Sequence, residues 1–178
     1  GASGNYGESA PTSPINVYGR HKAEAETALL DASGGSALLA RLICVWGRES
    51  AGKNFAYQVM RAAAERGTLT LPGDQLGNPS WAGDIATWSV RLLEERRSGI
   101  WHLAGDRPDM SRPEWARSIL EGLGRRGLRA EAELRTVSTR ELGQPAPRPL
   151  RAGLATSKIQ AFHPLACRPP SDLPADFP

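Results

Sequence analysis

Ala37-Leu38-Leu39-Ala40-Arg41-Leu42-Ile43-Cys44-Val45-Trp46 is a nearly continuous apolar run, with Gly34-Gly35 before it and Gly47 after it. A run without polar alternation suits a strand buried on both faces, as in a parallel sheet covered by helices. Helix and strand signals alternate outward from it. A helix is predicted from Pro14 to about Ala32, stopped by Ser33-Gly34-Gly35. After the run come a predicted helix from Asn54 to Arg66, a strand over 68–72 and a turn-rich loop from Gly73 to Ser80. A helix from Gly83 to about Arg97 and a strand over 99–103 follow. Ser111-Arg112-Pro113-Glu114 has an N-cap, an early Pro and an acidic residue at capping-box spacing, so a helix is predicted to about Gly122 or Gly124. A strand is expected over 132–137, then a rigid extended Pro145-Ala146-Pro147-Arg148-Pro149. The Pro-rich tail from Phe162 is expected to be poorly ordered. The fold class is therefore α/β with a mainly parallel sheet, organised as a domain over 1–161 and a tail over 162–178.

Composition narrows the function classes. The chain has 178 residues, 40% hydrophobic and 23% charged, with a net charge of +3, which suits one globular domain with a real core. The basic residues form no block longer than a pair, so nucleic acid is not an expected partner. Arg125-Arg126 with Arg129 reads as a solvated surface or a local anion patch. Cys44 and Cys167 are far apart and show no metal spacing. No signal peptide or membrane span is recognisable, and a reducing cytoplasm fits. The loop-like Gly1 to Gly7, so close to the first helix, reads as the later part of a longer protein.

The chemistry is concentrated in Ser13-Pro14-Ile15-Asn16-Val17-Tyr18-Gly19-Arg20-His21-Lys22. On a helix, Tyr18 and Lys22 share a face. An ammonium beside a phenol favours the phenolate, and a phenol tuned in this way can hand a proton to a carbonyl oxygen. The chain holds 22 Lys plus Arg, of which only Lys22, Lys53 and Lys158 are Lys. A Lys in such a background suggests a place where a planar guanidinium would not serve.

Five ordered stretches resemble the second part of a dTDP-4-dehydrorhamnose reductase, an extended short-chain dehydrogenase/reductase. They are Gly4–Pro14 with Asn16–Glu26; Arg41–Gly47 with Lys53-Asn54-Phe55; Asp74–Ser80 with Asp84-Ile85-Ala86; Gly99–Gly105 with Ser111 and Glu114-Trp115-Ala116; and Arg148-Pro149 with Thr156-Ser157-Lys158. The resemblance implies a Rossmann-type sheet carrying NADPH, with NADH as the alternative, and a small substrate lobe. It implies Tyr18 as the general acid at the C4 keto oxygen and Lys22 as the residue holding the nicotinamide ribose. Asn54, Asp74, Gln75 and Arg148 are implied on the sugar-nucleotide side. The implied partner is a nucleotide-sugar substrate, with a homodimer as one option for the assembly; the sequence itself gives no sign of a membrane or a metal.

Three departures accompany the resemblance. No Gly-rich cofactor loop follows an early strand, and the family's strand-borne Ser/Thr has no match; Ser3, Ser9 and Thr12 lie in the wrong context. Cys44 stands where the family has Trp, and Trp46 where it has Tyr, so an aromatic wall of the substrate site is expected to be altered. A Pro-rich tail replaces the usual final helix. The chain is therefore expected to be half a site, inactive alone. A non-catalytic regulatory subunit and a sugar-nucleotide epimerase or dehydratase are the alternatives. Plain roles are expected for Trp81, Trp88, Trp101 and Trp115 as packing aromatics, for His102 as a satisfied core histidine and for Cys44 as a small hydrophobe. Asn54 reads equally as a helix cap, and Asp74 can serve merely to hold a turn.

Overall fold

The computed structural model describes residues 2–175 and residue 177. The elements in order are α1 Val17–Ala32, β1 Leu38–Leu42, β2 Val45–Trp46, α2 Phe55–Glu65, β3 Thr68–Pro72, β4 Leu76–Gly77 and β5 Ser80–Trp81. Then come α3 Ala82–Glu94, β6 Gly99–Leu103, β7 Met110–Ser111, α4 Arg112–Arg125, β8 Glu133–Val137, α5 Thr139–Leu142 and α6 Ser157–Phe162. Strands pair in parallel as β1 with β6, β2 with β5 and β3 with β8, while β4 and β7 are antiparallel. This is an α/β arrangement with predominantly parallel pairing, as expected.

The apolar run is not one strand. It breaks at Ile43-Cys44, where Cys44 takes φ +48°, a left-handed conformation costly for a residue with a Cβ. The Cys44 carbonyl accepts from Ser80 N at 3.1 Å, and the chain leaves β6 to pair with β5 instead. Nor is the run buried on both faces. Leu42 and Val45 are exposed; among the described residues β1 pairs only with β6, and α1 contributes no buried residue. The first helix begins at Val17 rather than Pro14. Asn16 is its cap, in extended conformation, with its side chain accepting from Gly19 N.

Two cores hold the molecule. The larger joins α2, α4 and the tail through Val59, Ala63, Trp115, Ile119, Leu173 and Phe177 around Trp46. The smaller packs Trp88, Leu92, Trp101, Leu103, Ile159 and Cys167 between α3, β6 and α6. The packing roles expected of the tryptophans hold: Trp88, Trp101 and Trp115 are buried, and Trp81 stacks 4.7 Å from Trp46.

The tail corrects the expectation of poor order. Phe177 is buried against Trp46, Trp81 and Tyr57. The basic cluster is what fastens it. Arg126 donates to the carbonyls of Phe177 and Ala175 at 3.2 and 3.0 Å, and Arg125 donates to Ser171 O. Asp84 accepts from Arg168 N at 2.8 Å. Arg125 and Arg126 are thus clamps on backbone carbonyls rather than a free anion patch. Among the described residues no helix is long and apolar enough to cross a membrane.

Candidate active site

Tyr18 and Lys22 lie one turn apart at the start of α1, with Lys22 Nζ 5.6 Å from the Tyr18 ring centroid. Both are exposed, Tyr18 at 70%. Tyr18 lines a cavity of about 300 Å³ together with Cys44, Gln75, Arg112, Trp115 and Arg148. The last five also line an adjoining cavity of about 440 Å³ that reaches Asn54, Phe55 and Gln144. One cleft therefore runs from the phenol of Tyr18 to the N-terminus of α2. Among the described residues no carboxylate lines either cavity, and two guanidinium groups do.

The sequence-expected residues divide in this geometry. Arg148 lies in the cleft wall, exposed. Gln75 is there too, its amide donating to Thr139 Oγ1 at 3.1 Å and Gln144 Oε1 at 2.7 Å. Asn54 lines the far cavity and is also the α2 cap: its oxygen accepts from Ala56 N at 3.1 Å and its nitrogen donates to Gly47 O at 2.7 Å. Asp74 is engaged within the protein. Its carboxylate accepts from the Thr139 hydroxyl at 2.6 Å and from Thr139 N at 2.9 Å, and the hydroxyl bond holds the carboxyl below its usual pKa. Asp74 thereby fixes α5 and, beyond it, the wall containing Gln144.

Sequence reading passed over Arg112. It is the first residue of α4, and Ser111 with Glu114 forms the expected capping box around it. Its guanidinium lies 5.2 Å from the Phe55 ring and 4.9 Å from Trp115, whose rings are 4.7 Å apart. Stacking on aromatic faces orients a guanidinium while leaving its N–H edge available.

A second cluster braces α1 from below. Arg41 on β1 forms a two-pronged ion pair with Glu26, one turn past Lys22, with Arg41 Nε donating to Oε2 at 2.9 Å. Arg41 also donates to Glu8 O at 3.3 Å and approaches His102 Nε2 at 3.4 Å. His102 is fully buried, its Nδ1 3.3 Å from Ala155 O and its backbone N–H donating to Glu8 Oε1 at 3.2 Å. It is the satisfied core histidine expected. An Nδ1–H donated to the carbonyl leaves Nε2 to accept from Arg41, which is the neutral tautomer. Burial lowers its pKa, against the opposing pull of the Glu8 carboxylate.

A histidine with a lowered folded-state pKa protonates first in the unfolded chain. Stability is therefore expected to fall as pH drops below the unfolded value of about 6.5. The Arg41 hydrogen bonds hold the Glu26 carboxyl below its usual value, so a second loss follows below about pH 4.3. Thermal unfolding of the wild type and His102→Gln between pH 7.5 and 5 checks this. The variant's midpoint should lose its slope between pH 7 and 5, and an unchanged slope would reject His102 as its source.

The sequence matches the family described as the RmlD substrate binding domain over residues 1–169. The chain belongs to this family. Similar curated relatives include dTDP-4-dehydrorhamnose reductase of Aggregatibacter actinomycetemcomitans, 32% identical over 165 residues, covering 89% of this chain and 55% of the relative. That of Salmonella typhimurium is 34% identical, covering 86% and 52%. Among solved structures, dTDP-4-dehydrorhamnose reductase of Bacillus anthracis in complex with NADP superposes with a TM-score of 0.80 at 22% identity, covering 94% of this chain and 57% of that one. The chain thus spans about half the length of these relatives, and the last likeness shows that it shares the α/β fold of the matching part of that structure.

Within this RmlD domain the altered aromatic wall has a structural answer. Trp46 is 1% exposed in the core and lines neither cleft cavity, whereas Cys44 lines both. Burial raises the Cys44 pKa, keeping it the small hydrophobe expected. Phe55 and Trp115 supply the aromatic surface instead. Lys22 lines the open cavities on either side of α1, but the sequence's Gly-x-Gly-x-x-Gly, Gly122 to Gly127, closes α4 rather than following a strand. A Cβ at Gly122 would come within 2.5 Å of Ser171 O, so this glycine makes room for the tail, not for a pyrophosphate.

Proposed function

We propose that the protein is the substrate-binding, proton-donating part of a reductase that converts the 4-keto group of a dTDP-4-keto-6-deoxyhexose to an alcohol at the expense of NADPH. The observation that carries this reading is the cleft linking Tyr18 to a carboxylate-free pocket with two arginines and a tilted pair of aromatic rings. Names of the relatives support it, since they are dTDP-4-dehydrorhamnose reductases, as does the NADP bound to the Bacillus anthracis protein.

Each residue then has a chemical task. Arg112 and Arg148 meet the two negative phosphates of the nucleotide, with charge-assisted hydrogen bonds in a pocket that offers no competing carboxylate. Phe55 and Trp115 give the base or sugar a flat apolar face. Gln75 and Asn54 present amides whose geometry is already fixed by Thr139, Gln144 and Gly47, and Asp74 acts through Thr139. Tyr18 donates its hydroxyl proton to the C4 oxygen as that oxygen becomes an alkoxide. Lys22, on the same helical face, stabilises the resulting phenolate and would hold the nicotinamide ribose. NADPH supplies the hydride when bound. Because these residues fit only the nicotinamide end, the 178-residue chain alone should bind NADPH weakly and turn over negligibly; tight one-to-one binding by calorimetry would overturn that part. A cytoplasmic location belongs to the same proposal, since both reactants are soluble.

The pocket assignment is tested by titrating dTDP into the chain. Arg148→Ala should weaken binding roughly ten- to a hundred-fold. Arg148 is exposed, so its removal should leave thermal stability within about 0.5 kcal/mol. Unchanged affinity would remove Arg148 from the phosphate site.

A further inference from the structure

Asn16 joins two parts of the cleft that nothing else named above connects. Its Oδ1 accepts from Gly19 N at 2.7 Å, which caps the helix bearing Tyr18 and Lys22. Its Nδ2 donates to Pro147 O at 2.8 Å, 131 residues further along the chain. Pro147 belongs to the extended segment carrying Arg148, whose prolines fix φ and limit the residue before each one to extended conformations. At its far end this segment is tied to β4, with Leu76 N donating to Leu150 O at 2.7 Å and Ala152 N to Leu76 O at 3.1 Å. Arg148 thus sits on a stiff strap between two ties, and the nearer one is a single carboxamide. Tyr18 and Arg148 line two cavities together, one of them floored by the strap and the first turn of α1. The site is built for close approach. A Cβ at Gly19 would stand 3.2 Å from Pro14 Cβ and 3.3 Å from Asn16 Oδ1, so Gly19 lets the capping side chain lie against the helix.

We propose that Asn16 is a positioning residue that sets the distance between the Tyr18–Lys22 helix and the Arg148 strap, and so the width of the nucleotide-sugar cleft. The assignment rests on the reading of that cleft given above. One carboxamide performs both tasks because it carries an acceptor and a donor on one planar group. A carboxylate keeps the first task but has no proton for the second, and a serine hydroxyl, one bond shorter than the carboxamide nitrogen, keeps the cap but lacks the reach to Pro147 O. Asp and Ser cap helices about as well as Asn, so Asn16→Asp and Asn16→Ser separate the strap tie from helix stability.

The test uses the full 178-residue chain. Backbone amide exchange is followed over the peptide spanning residues 142–154, and dTDP affinity is measured in parallel. Both variants should keep the helical signal and melting midpoint of the wild type. Exchange in the strap should rise about five- to ten-fold, as for the loss of one hydrogen bond, and dTDP affinity should fall by a comparable factor. Asn16→Ser introduces no charge, so agreement between the two variants assigns the effect to the lost tie to Pro147 O rather than to the added carboxylate. Unchanged strap exchange in both variants would overturn the proposal even if dTDP binds. Faster exchange with unchanged dTDP affinity would overturn the positioning role and leave a merely structural tie. A wild type that binds no dTDP would overturn the cleft reading, and with it the purpose assigned to Asn16.

Discussion

Tyr18→Phe is expected to abolish keto-sugar reduction while leaving the fold intact. In a polypeptide that joins this chain to a cofactor-binding half of the length found in its relatives, kcat should fall about 10²- to 10⁴-fold, the usual worth of a positioned proton donor. Substrate affinity should change little, because the proposed nucleotide contacts, Arg112 and Arg148, lie at the other end of the cleft. Tyr18 is 70% exposed and contributes to neither core, so the thermal midpoint should match the wild type within the scatter of surface substitutions, about 0.5 kcal/mol. Lys22 supplies the internal control. Lys22→Arg retains the charge but replaces a compact ammonium with a planar fork, and it should not restore the wild-type rate. A Tyr18→Phe enzyme with an unchanged kcat would remove Tyr18 from the chemistry.

Trp46→Ala is the substitution with the largest expected effect on stability. Trp46 is 1% exposed and is packed by Trp81 at 4.7 Å and by Phe177 at 6.2 Å, with Val59 and Trp115 in the same cluster. Removing the indole leaves a cavity where β2, α2, α4 and the tail converge. The expected cost is about 3–5 kcal/mol, a fall in thermal midpoint on the order of 10 °C for a chain of this length. Trp46→Phe should cost much less, since among the described residues the buried indole N–H has no hydrogen-bond partner to lose. dTDP affinity per folded molecule should be unaffected, because Trp46 does not line the cleft. A mild loss of stability with a large loss of nucleotide affinity would instead place Trp46 in the substrate wall, as its position in the family motif suggests.

What was legible in the sequence followed from local rules. β3 and β6 have the expected limits, since short apolar runs between glycines leave little freedom. The capping box at Ser111 and the shared face of Tyr18 and Lys22 depend only on spacing along one helix. What was not legible depended on partners far away in the chain. The left-handed Cys44 follows from the pairing of β2 with β5. The Pro-rich tail looked poorly ordered by composition, but Arg125 and Arg126 hold its carbonyls and three aromatic rings enclose Phe177. Asp74 reads as a substrate-side residue or a turn holder, and its bond to Thr139, 65 residues later, has no signal in the local sequence. Arg112 was hidden by a motif that explained its neighbours: the capping box accounts for Ser111 and Glu114 and says nothing of where the intervening side chain stacks.

The central claim is a reduction in which hydride goes to carbon 4 and a proton from Tyr18 goes to its oxygen. The most direct measurement supplies the joined polypeptide with a dTDP-4-keto-6-deoxyhexose and NADPH deuterated at the transferring position of the nicotinamide, then locates the label in the product by NMR. The account predicts one deuterium at C4 of the sugar, one NADPH consumed per product, and loss of both in Tyr18→Phe. Product formed without NADPH consumption, as in epimerisation or dehydration, or label at any other carbon, would contradict it.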